Sequence, residues 1–386
     1  MKAATEHWDK AHFDGTHRVC APEETLRRIE PVFSRVGVTR LADLTWLDET
    51  GVPVYQAVRP DSHNLSVSQG KGLTPALAKA SAAMEAIETW HAERVEPDLH
   101  LAVSEAADQM GYRLQEISPR ARHHIHPALR VAWSRARRLV SGKPSLVPTE
   151  YLRLDYRVRA DWSPLLFSVT SNGLASGNTY TEAALHGLYE FVERDAMARA
   201  GWRPYPRIVD LDSVDGVARG LLDQMLGTGL QVVAEALDSP VGLPVIRARI
   251  FSGFFPEVFI GSGAHSDREV ALCRALTEAV QSRVTTISGV RDDLTPEAYR
   301  QAREALLGRA TRMDLRELFE DSKRVLYQEL PSTRLPSLAD DLRLTAGRVH
   351  EVTGREPLVF DHTLPDIGIP VVRVLCPRLL FDPELV

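Results

Sequence analysis

One pattern is written three times along this chain, and it restricts the fold more than any other feature. Gly72-Leu73-Thr74 precedes a helical stretch carrying Ser81, Glu85 and Glu88. Gly177-Asn178-Thr179 precedes, at the same spacing, His186, Glu190 and Glu193. A fainter copy after Gly263 carries Arg274, Glu278 and Gln281. A glycine-rich turn that enters a helix offers backbone N–H groups and the positive end of a dipole, which suits phosphate. Carboxylates farther along one helix face suit Mg2+. The triplication therefore predicts a mixed α/β fold built from pseudo-repeats of strand, Gly-rich loop and acidic helix around a magnesium–nucleotide site. No composition break or low-complexity linker interrupts it, so a single domain over residues 1–386 is expected, with residues 1–60 packing onto a core of 61–386.

Bulk properties exclude several alternatives. The chain has 386 residues, enough for a large core. A net charge of −6 speaks against a general nucleic-acid binder. No apolar run approaches the ~18 residues of a membrane span, and the N-terminus lacks the apolar stretch of a signal peptide. Cys20, Cys273 and Cys376 lie far apart with no C-x-x-C pair. That predicts buried small hydrophobes in a reducing cytoplasm and no zinc site.

Periodicity predicts the elements. Residues 22–36 read as an amphipathic helix opened by Pro22 and Glu23-Glu24. Strands are expected over Thr39–Leu47, Val52–Val58, Leu146–Tyr156, Leu165–Thr170, Gln231–Glu235, Val245–Phe251, Glu257–Ile260 and Val371–Leu375. The three repeat helices are expected over Leu73–Val95, Thr181–Ala200 and Asp267–Ser288. Further helices are expected over 101–117, 214–226, 296–325 and 337–353. Residues 118–127 and 66–72 read as loops, and Arg135-Ala136-Arg137-Arg138 as a solvated helix face.

The acidic helices carry the chemistry. At ~100° per residue, Glu182, His186, Glu190 and Glu193 fall within roughly 80° of arc. Taken alone, such a stripe is a solvated face, yet its acids repel one another and no lysine relieves them. Around Ser81, Glu85 and Glu88 stand Leu77, Ala80, Ala83, Met84, Ile87 and Trp90. A helix apolar nearly all round is buried, and buried carboxylates need a metal or a cation. Lys71, in Gly70-Lys71-Gly72, can meet a phosphate, although the Walker spacing is absent. Arg274 and Arg283 beside Glu278 can hold phosphate oxygens or form an intrahelical ion pair. His123-His124-Ile125-His126 reads as a solvated loop, because adjacent histidines do not face one another.

Taken together, these residues resemble the YcaO family over nearly the whole chain. Ser68-Gln69-Gly70-Lys71-Gly72 with Ser81, Glu85 and Glu88 is similar to the family's first signature. Ser171-Asn172-Gly173, Gly177-Asn178-Thr179, Glu182, Glu190 and Glu193-Arg194-Asp195 are similar to the second, and Arg274, Glu278, Gln281 and Arg283 to the third. The ending Gly368-Ile369-Pro370-Val371-Val372-Arg373-Val374 also resembles family C-termini. The resemblance implies ATP and Mg2+ as cofactors. It implies that Glu85, Glu88, Glu182, Glu190, Glu193 and Glu278 work with Mg2+. It places Arg18, Thr25, Lys71, Ser81, Asn178, Glu182, Arg194, Arg274 and Arg283 at ATP, and assigns no catalytic base.

The activity it implies is phosphorylation of a peptide backbone amide oxygen, followed by attack of a nucleophile at the amide carbon. A side-chain nucleophile gives an azoline, an external sulfide a thioamide, an amine an amidine. Gly15-Thr16-His17-Arg18, Pro22, Thr25-Leu26, Gly37-Val38-Thr39-Arg40, Asp43-Leu44-Thr45 and Val58-Arg59-Pro60 resemble family members that work with a TfuA partner in thioamidation. The ending Phe381-Asp382-Pro383-Glu384-Leu385-Val386 departs from the Pro-rich tail of azoline-forming members. Thioamide formation in ribosomal peptide natural-product maturation is therefore the expectation. The partners expected are a peptide substrate, a TfuA-like protein or separate leader-binding protein, and a second copy of the chain in a homodimer. Azoline or amidine formation, and a non-catalytic nucleotide-binding scaffold, are the competing readings.

Overall fold

The computed structural model describes residues 9–117, 125–157, 166–167, 169–201, 206–253, 255, 257–293, 297, 299–300, 314–315 and 317–381. In chain order the strands are β1 (Arg40–Asp43), β2 (Val54–Val58), β3 (Val67–Lys71), β4 (Leu99–Ala102), β5 (Arg130–Arg138), β6 (Pro144–Pro148) and β7 (Leu174–Ser176). They continue with β8 (Arg207–Asp210), β9 (Gln231–Leu237), β10 (Val245–Phe251), β11 (Phe259–Ala264), β12 (Lys323–Leu326), β13 (Leu358–Asp361) and β14 (Val371–Leu375). The helices are α1 (Pro22–Ile29), α2 (Phe33–Val36), α3 (Pro75–Ala92), α4 (Val103–Met110), α5 (Thr149–Leu152), α6 (Tyr180–Ala200), α7 (Gly216–Gly227), α8 (Arg268–Ser288) and α9 (Leu338–Thr353). The fold is mixed α/β, as the pattern predicts. The chain divides into two compact units, and the boundary between them falls inside α3, after Ala86.

The first unit comprises Met1–Lys10, Ile87–Arg199 and Leu335–Val386. Its sheet runs β4-β5-β13-β14-β7, with β6 paired to β5, and its described ladders are antiparallel. Val131, Trp133, Leu146, Val147, Leu152, Leu358 and Leu375 form its apolar core. The second unit comprises Ala11–Ala86 and Ala200–Arg334. It holds a three-stranded sheet β1-β2-β3 and a five-stranded sheet β11-β10-β9-β8-β12. In the larger sheet Val232, Ala234, Ala236, Ile246, Ala248 and Ile250 project into a core shared with Leu221, Leu222 and Met225 of α7 and with Leu272, Ala275, Leu276 and Ala279 of α8. Burying each large apolar side chain there contributes about 1.5–3 kcal/mol.

The repeat helices begin and end where local chemistry dictates. Asp267 caps α8 by accepting from the Glu269 N–H, and Gly289 closes it in the left-handed region at φ 64°. Ser337 and Gly354 do the same for α9. Each repeat helix follows a short strand: β3 before α3, β7 before α6, β11 before α8. A Cβ at Gly70 would lie 2.1 Å from the Ala82 nitrogen, and one at Gly261 2.2 Å from the Ala279 nitrogen. These glycines let the strand backbone touch the helix it feeds.

Several expectations need correction. Ser66 to Gly72 is no loop, since Val67–Lys71 is strand β3, paired with β2. Arg135 to Arg138 lies in strand β5, not on a helix, because burial there alternates with period two. The expected helix 22–36 is broken at Glu30–Val32, where Pro31 enters a 3-10 turn. Helix 101–117 shrinks to α4, stopped by Gly111 at φ 73°. The expected strand Leu146–Tyr156 gives way after Pro148 to helix α5. The end of the expected helix 296–325 is strand β12, while residues 301–313 lie outside the described residues, as do His123 and His124. Within Leu165–Thr170 the described residues form no strand.

Candidate functional site

The motif residues, Glu193 excepted, share one property on all three helices. On α3, Ala82, Ala83, Ala86, Ile87 and Trp90 are buried, whereas Ser81, Glu85 and Glu88 are only half-buried. From Thr181 to Glu193 of α6, only His186 and Glu190 are half-buried; the rest of that run is sealed. From Val270 to Val280 of α8, only Arg274 and Glu278 are half-buried, and Gln281 continues the line. On α6 and α8 that run is covered except along a polar stripe, whereas on α3 Pro75 is exposed and Ala76, Leu77, Lys79, Met84 and Thr89 are half-buried beside the motif residues. A solvated acidic face would leave a much wider arc open.

The carboxylates on these stripes are held by backbone N–H groups of the strands and turns. In the first unit, Glu88 accepts from the Ser176 N–H at 2.7 Å and from the Ser176 hydroxyl at 2.6 Å. Glu190 accepts from the Gly173 N–H at 3.2 Å, with the Arg194 guanidinium 3.9 Å away. Glu182, buried, accepts from the Asn178 N–H at 3.2 Å and the Asn178 carboxamide at 3.0 Å. In the second unit, Glu278 accepts from the Ser262 N–H and hydroxyl, both at 3.3 Å, and pairs with Lys71. A carboxylate has about four lone-pair positions, so one fixed oxygen sets its direction while ligating capacity remains.

Electrostatics separate the acids. Burial pushes the Glu190 carboxyl up, against the pull of Arg194 and of the Gly173 N–H; Glu193 beside it adds to the rise. A divalent cation would relieve that crowding. Glu193 is buried, at 3% exposure. Glu85 lies on the open stripe of α3, close enough to Arg291 to feel its charge.

The remaining predicted residues fall as follows. Among the described residues the Arg274 Nε is buried without a hydrogen-bond partner. Arg283 is buried; its Nε donates to Asp48 at 3.0 Å and its guanidinium lies 5.8 Å from the rings of Phe255 and Phe259. Arg18 pairs with His12 through the backbone. The Thr25 hydroxyl, in α1, donates to the carbonyl of Ala21, the residue before the helix, at 3.5 Å. Sequence reasoning missed Ser176, Ser262 and Asp48, because each acts on a partner remote in the chain or through its backbone N–H. The thiols of Cys273 and Cys376 do not compete as nucleophiles, since burial pushes Cys273 up to about 12 and Cys376 up as well; Cys20 is half-buried rather than sealed.

The residues present fit a nucleotide and its metal. The donors are hard carboxylate oxygens on open stripes, accompanied by the unpartnered donor of Arg274. Among the described residues no three His, Cys, Asp or Glu side chains come close enough to hold a metal by themselves. Mg2+ does not require that: it takes one or two carboxylates and completes its shell with phosphate oxygens and water.

Comparisons agree. Residues 69–380 match the family model described as YcaO cyclodehydratase, ATP- and Mg2+-binding. An uncharacterized protein of Mycobacterium tuberculosis is 37% identical over 379 residues, covering 96% of this chain and 84% of the relative. An uncharacterized protein encoded in the tfuA 3′ region of Rhizobium leguminosarum bv. trifolii is 34% identical over 383 residues, covering 95% and 89%. The solved structure of YcaO from Methanopyrus kandleri, bound with AMPPCP and Mg2+, superposes with a TM-score of 0.73 at 25% identity, over 96% of this chain and 94% of that one. The fold and its acidic helices define an ATP- and Mg2+-binding domain. The chain belongs to the YcaO family, and its cofactors are ATP and Mg2+.

Proposed function

We propose that this chain is an enzyme that activates a backbone amide of a peptide with ATP during maturation of a ribosomally made peptide, and that its product is a thioamide formed with a TfuA-like partner. The observation that carries the reading is the pair of half-buried polar residues on each of two otherwise covered runs, His186 with Glu190 on α6 and Arg274 with Glu278 on α8, matched by half-buried Ser81, Glu85 and Glu88 on α3. ATP, when bound, would supply the phosphoryl group, leaving ADP, that lets the amide oxygen depart as phosphate once sulfide has added at the amide carbon, and Mg2+ would neutralise the phosphate charge. In this reading Glu85, Glu88, Glu182, Glu190, Glu193 and Glu278 serve Mg2+. Lys71, Arg194 and Arg274 offset phosphate charge, and Arg18, Thr25, Ser81, Asn178 and Arg283 lie toward the nucleotide. The Ser176, Gly173, Asn178 and Ser262 N–H groups aim the carboxylates in advance, as phosphoryl transfer, mostly positioning and charge neutralisation, requires.

Support for the thioamide is the 34% identical relative encoded beside tfuA. Azoline formation is the second reading, favoured by the cyclodehydratase description of the family model. A cytoplasmic setting is supported by the three free thiols, and no described helix is long and apolar enough to cross a membrane. The homodimer rests on family resemblance and is tested by sedimentation velocity.

The decisive experiment incubates the protein with ATP, Mg2+, sulfide, a TfuA-like protein and precursor peptides encoded nearby, and weighs the products. Exchange of one oxygen for sulfur is expected. Loss of one water would move the assignment to azoline formation. Full turnover by Glu88→Gln or Glu190→Gln would remove the metal assignment, and absence of ATP turnover with every peptide would favour a binding scaffold.

A further inference from the structure

Two motifs of the sequence meet within the first unit, and the reading above uses only the Gly173 N–H of one of them. One is Ser171-Asn172-Gly173, the turn before β7. The other is the chain ending that carries β14. Arg373, at the centre of β14, has 0% exposure. Its Nη2 donates to the Thr170 carbonyl. The next residue, Val374, donates its N–H to the Gly173 carbonyl at 2.8 Å. The turn is thus gripped by a side chain at Thr170 and by a backbone bond at Gly173. Gly173 itself sits at φ 75°, and a Cβ there would come within 2.3 Å of the Val374 oxygen. Nothing larger than glycine fits between the turn and the strand.

Keeping an arginine here has a cost. Among the described residues no carboxylate lies within ion-pair distance of Arg373, and its Nε and Nη1 are buried without hydrogen-bond partners. Its guanidinium lies 5.5 Å from the centre of the Tyr151 ring. A buried guanidinium so poorly matched destabilises the fold relative to an apolar residue of similar volume. Its charge reaches the Glu190 carboxylate, and its grip adds direction: the turn it holds presents the Gly173 N–H to that carboxylate, at 3.2 Å.

We propose that Arg373 is a positioning residue for Glu190: by clamping the Thr170 carbonyl it fixes the Thr170–Gly173 turn, and that turn fixes the carboxylate, so that Arg373 sets the affinity for Mg2+ without touching metal or nucleotide. The inference rests on the reading of Glu190 as a Mg2+ carboxylate. Lysine cannot replace the arginine, because a single flexible ammonium lacks the planar fork that reaches a carbonyl in a fixed direction.

The test is AMPPCP binding by calorimetry at graded Mg2+ concentrations, for the wild type, Arg373→Lys, Arg373→Met and Glu190→Gln. Loss of an outer partner of a metal ligand weakens metal binding, so both Arg373 variants should raise the half-saturating Mg2+ concentration about 10- to 100-fold, with nucleotide affinity at saturating Mg2+ changed less than about twofold. A merely structural arginine would lower the melting temperature and leave the Mg2+ requirement of the folded fraction unchanged; that result overturns the proposal. Should Arg373→Met not fold, Arg373→Lys decides, and failure of both to fold also overturns it. An unmoved Mg2+ requirement in Glu190→Gln would remove the reading of Glu190 itself. A shift in Glu190→Gln without one in the Arg373 variants would remove only the role of Arg373.

Discussion

Glu116, almost sealed from solvent, is surrounded by arginines. Arg355 donates to it from Nε at 2.9 Å and from Nη2 at 3.2 Å, Arg378 from Nε at 2.8 Å, and Arg113 from its backbone N–H at 3.0 Å. Burial alone would push the carboxyl up; the bonds from Arg355, the Arg113 N–H and Arg378 more than reverse this and hold it at about 2. Its folded-state pKa therefore lies below its unfolded one. The stability it contributes is fully present above the unfolded value and disappears as pH falls through the folded value. Glu116→Gln should destabilise the protein by about 1–3 kcal/mol at pH 7. The gap to the wild type should narrow as urea unfolding is repeated from about pH 5 down to about pH 2; a gap independent of pH would show that Glu116 packs rather than pairs. Nothing in the sequence marked this residue. Arg355 and Arg378 are 239 and 262 positions away, and a lone glutamate in a polar stretch has no periodicity to betray it.

At the scale of elements, the three strand–turn–helix units were legible because a long helix advertises itself. The expected bounds of the repeat helices and the observed α3, α6 and α8 differ by three residues or fewer. Short segments were not legible. Arg135 to Arg138 reads as helical on charge alone, but hydrogen bonding to β6 makes it a strand. Gly70 reads as a phosphate-approach glycine in a loop, whereas it is a contact point between strand and helix, as is Gly261. Gly261→Ala would drive a methyl group to 2.3 Å from the Ala275 oxygen. Backbone cannot yield as a side-chain tip does, so a loss of at least about 2 kcal/mol in urea unfolding is expected. Gly347→Ala is the contrast: it lies within α9 with open space around its Cβ. That variant should stabilise the protein by about 0.5–1 kcal/mol, and the opposite sign would indicate a close approach at Gly347.

At the scale of the whole molecule, ATP and Mg2+ bind the folded chain, so they must stabilise it. At a nucleotide concentration 100-fold above Kd the gain is about 2.7 kcal/mol. Calorimetric melting should shift upward with AMPPCP and Mg2+ together, and much less with AMPPCP alone, since charge repulsion among acids and phosphates then goes unrelieved. Equal shifts with and without Mg2+ would contradict a metal role for the stripe carboxylates.

The sequence by itself determined the α/β class, the repeat helices, the family and the cofactors. The class and the helices rest on local periodicity, written within one or two helical turns, while the family, with ATP and Mg2+, rests on the resemblance of the signature residues along the chain. The tertiary structure decided how the carboxylates are held. Ser176 reaches Glu88 across 88 positions, and Arg373 grips Thr170 across 203. Hydrogen bonds from backbone N–H groups leave no trace in residue identity, and a contact between remote strands exists only once the sheet that aligns them has formed.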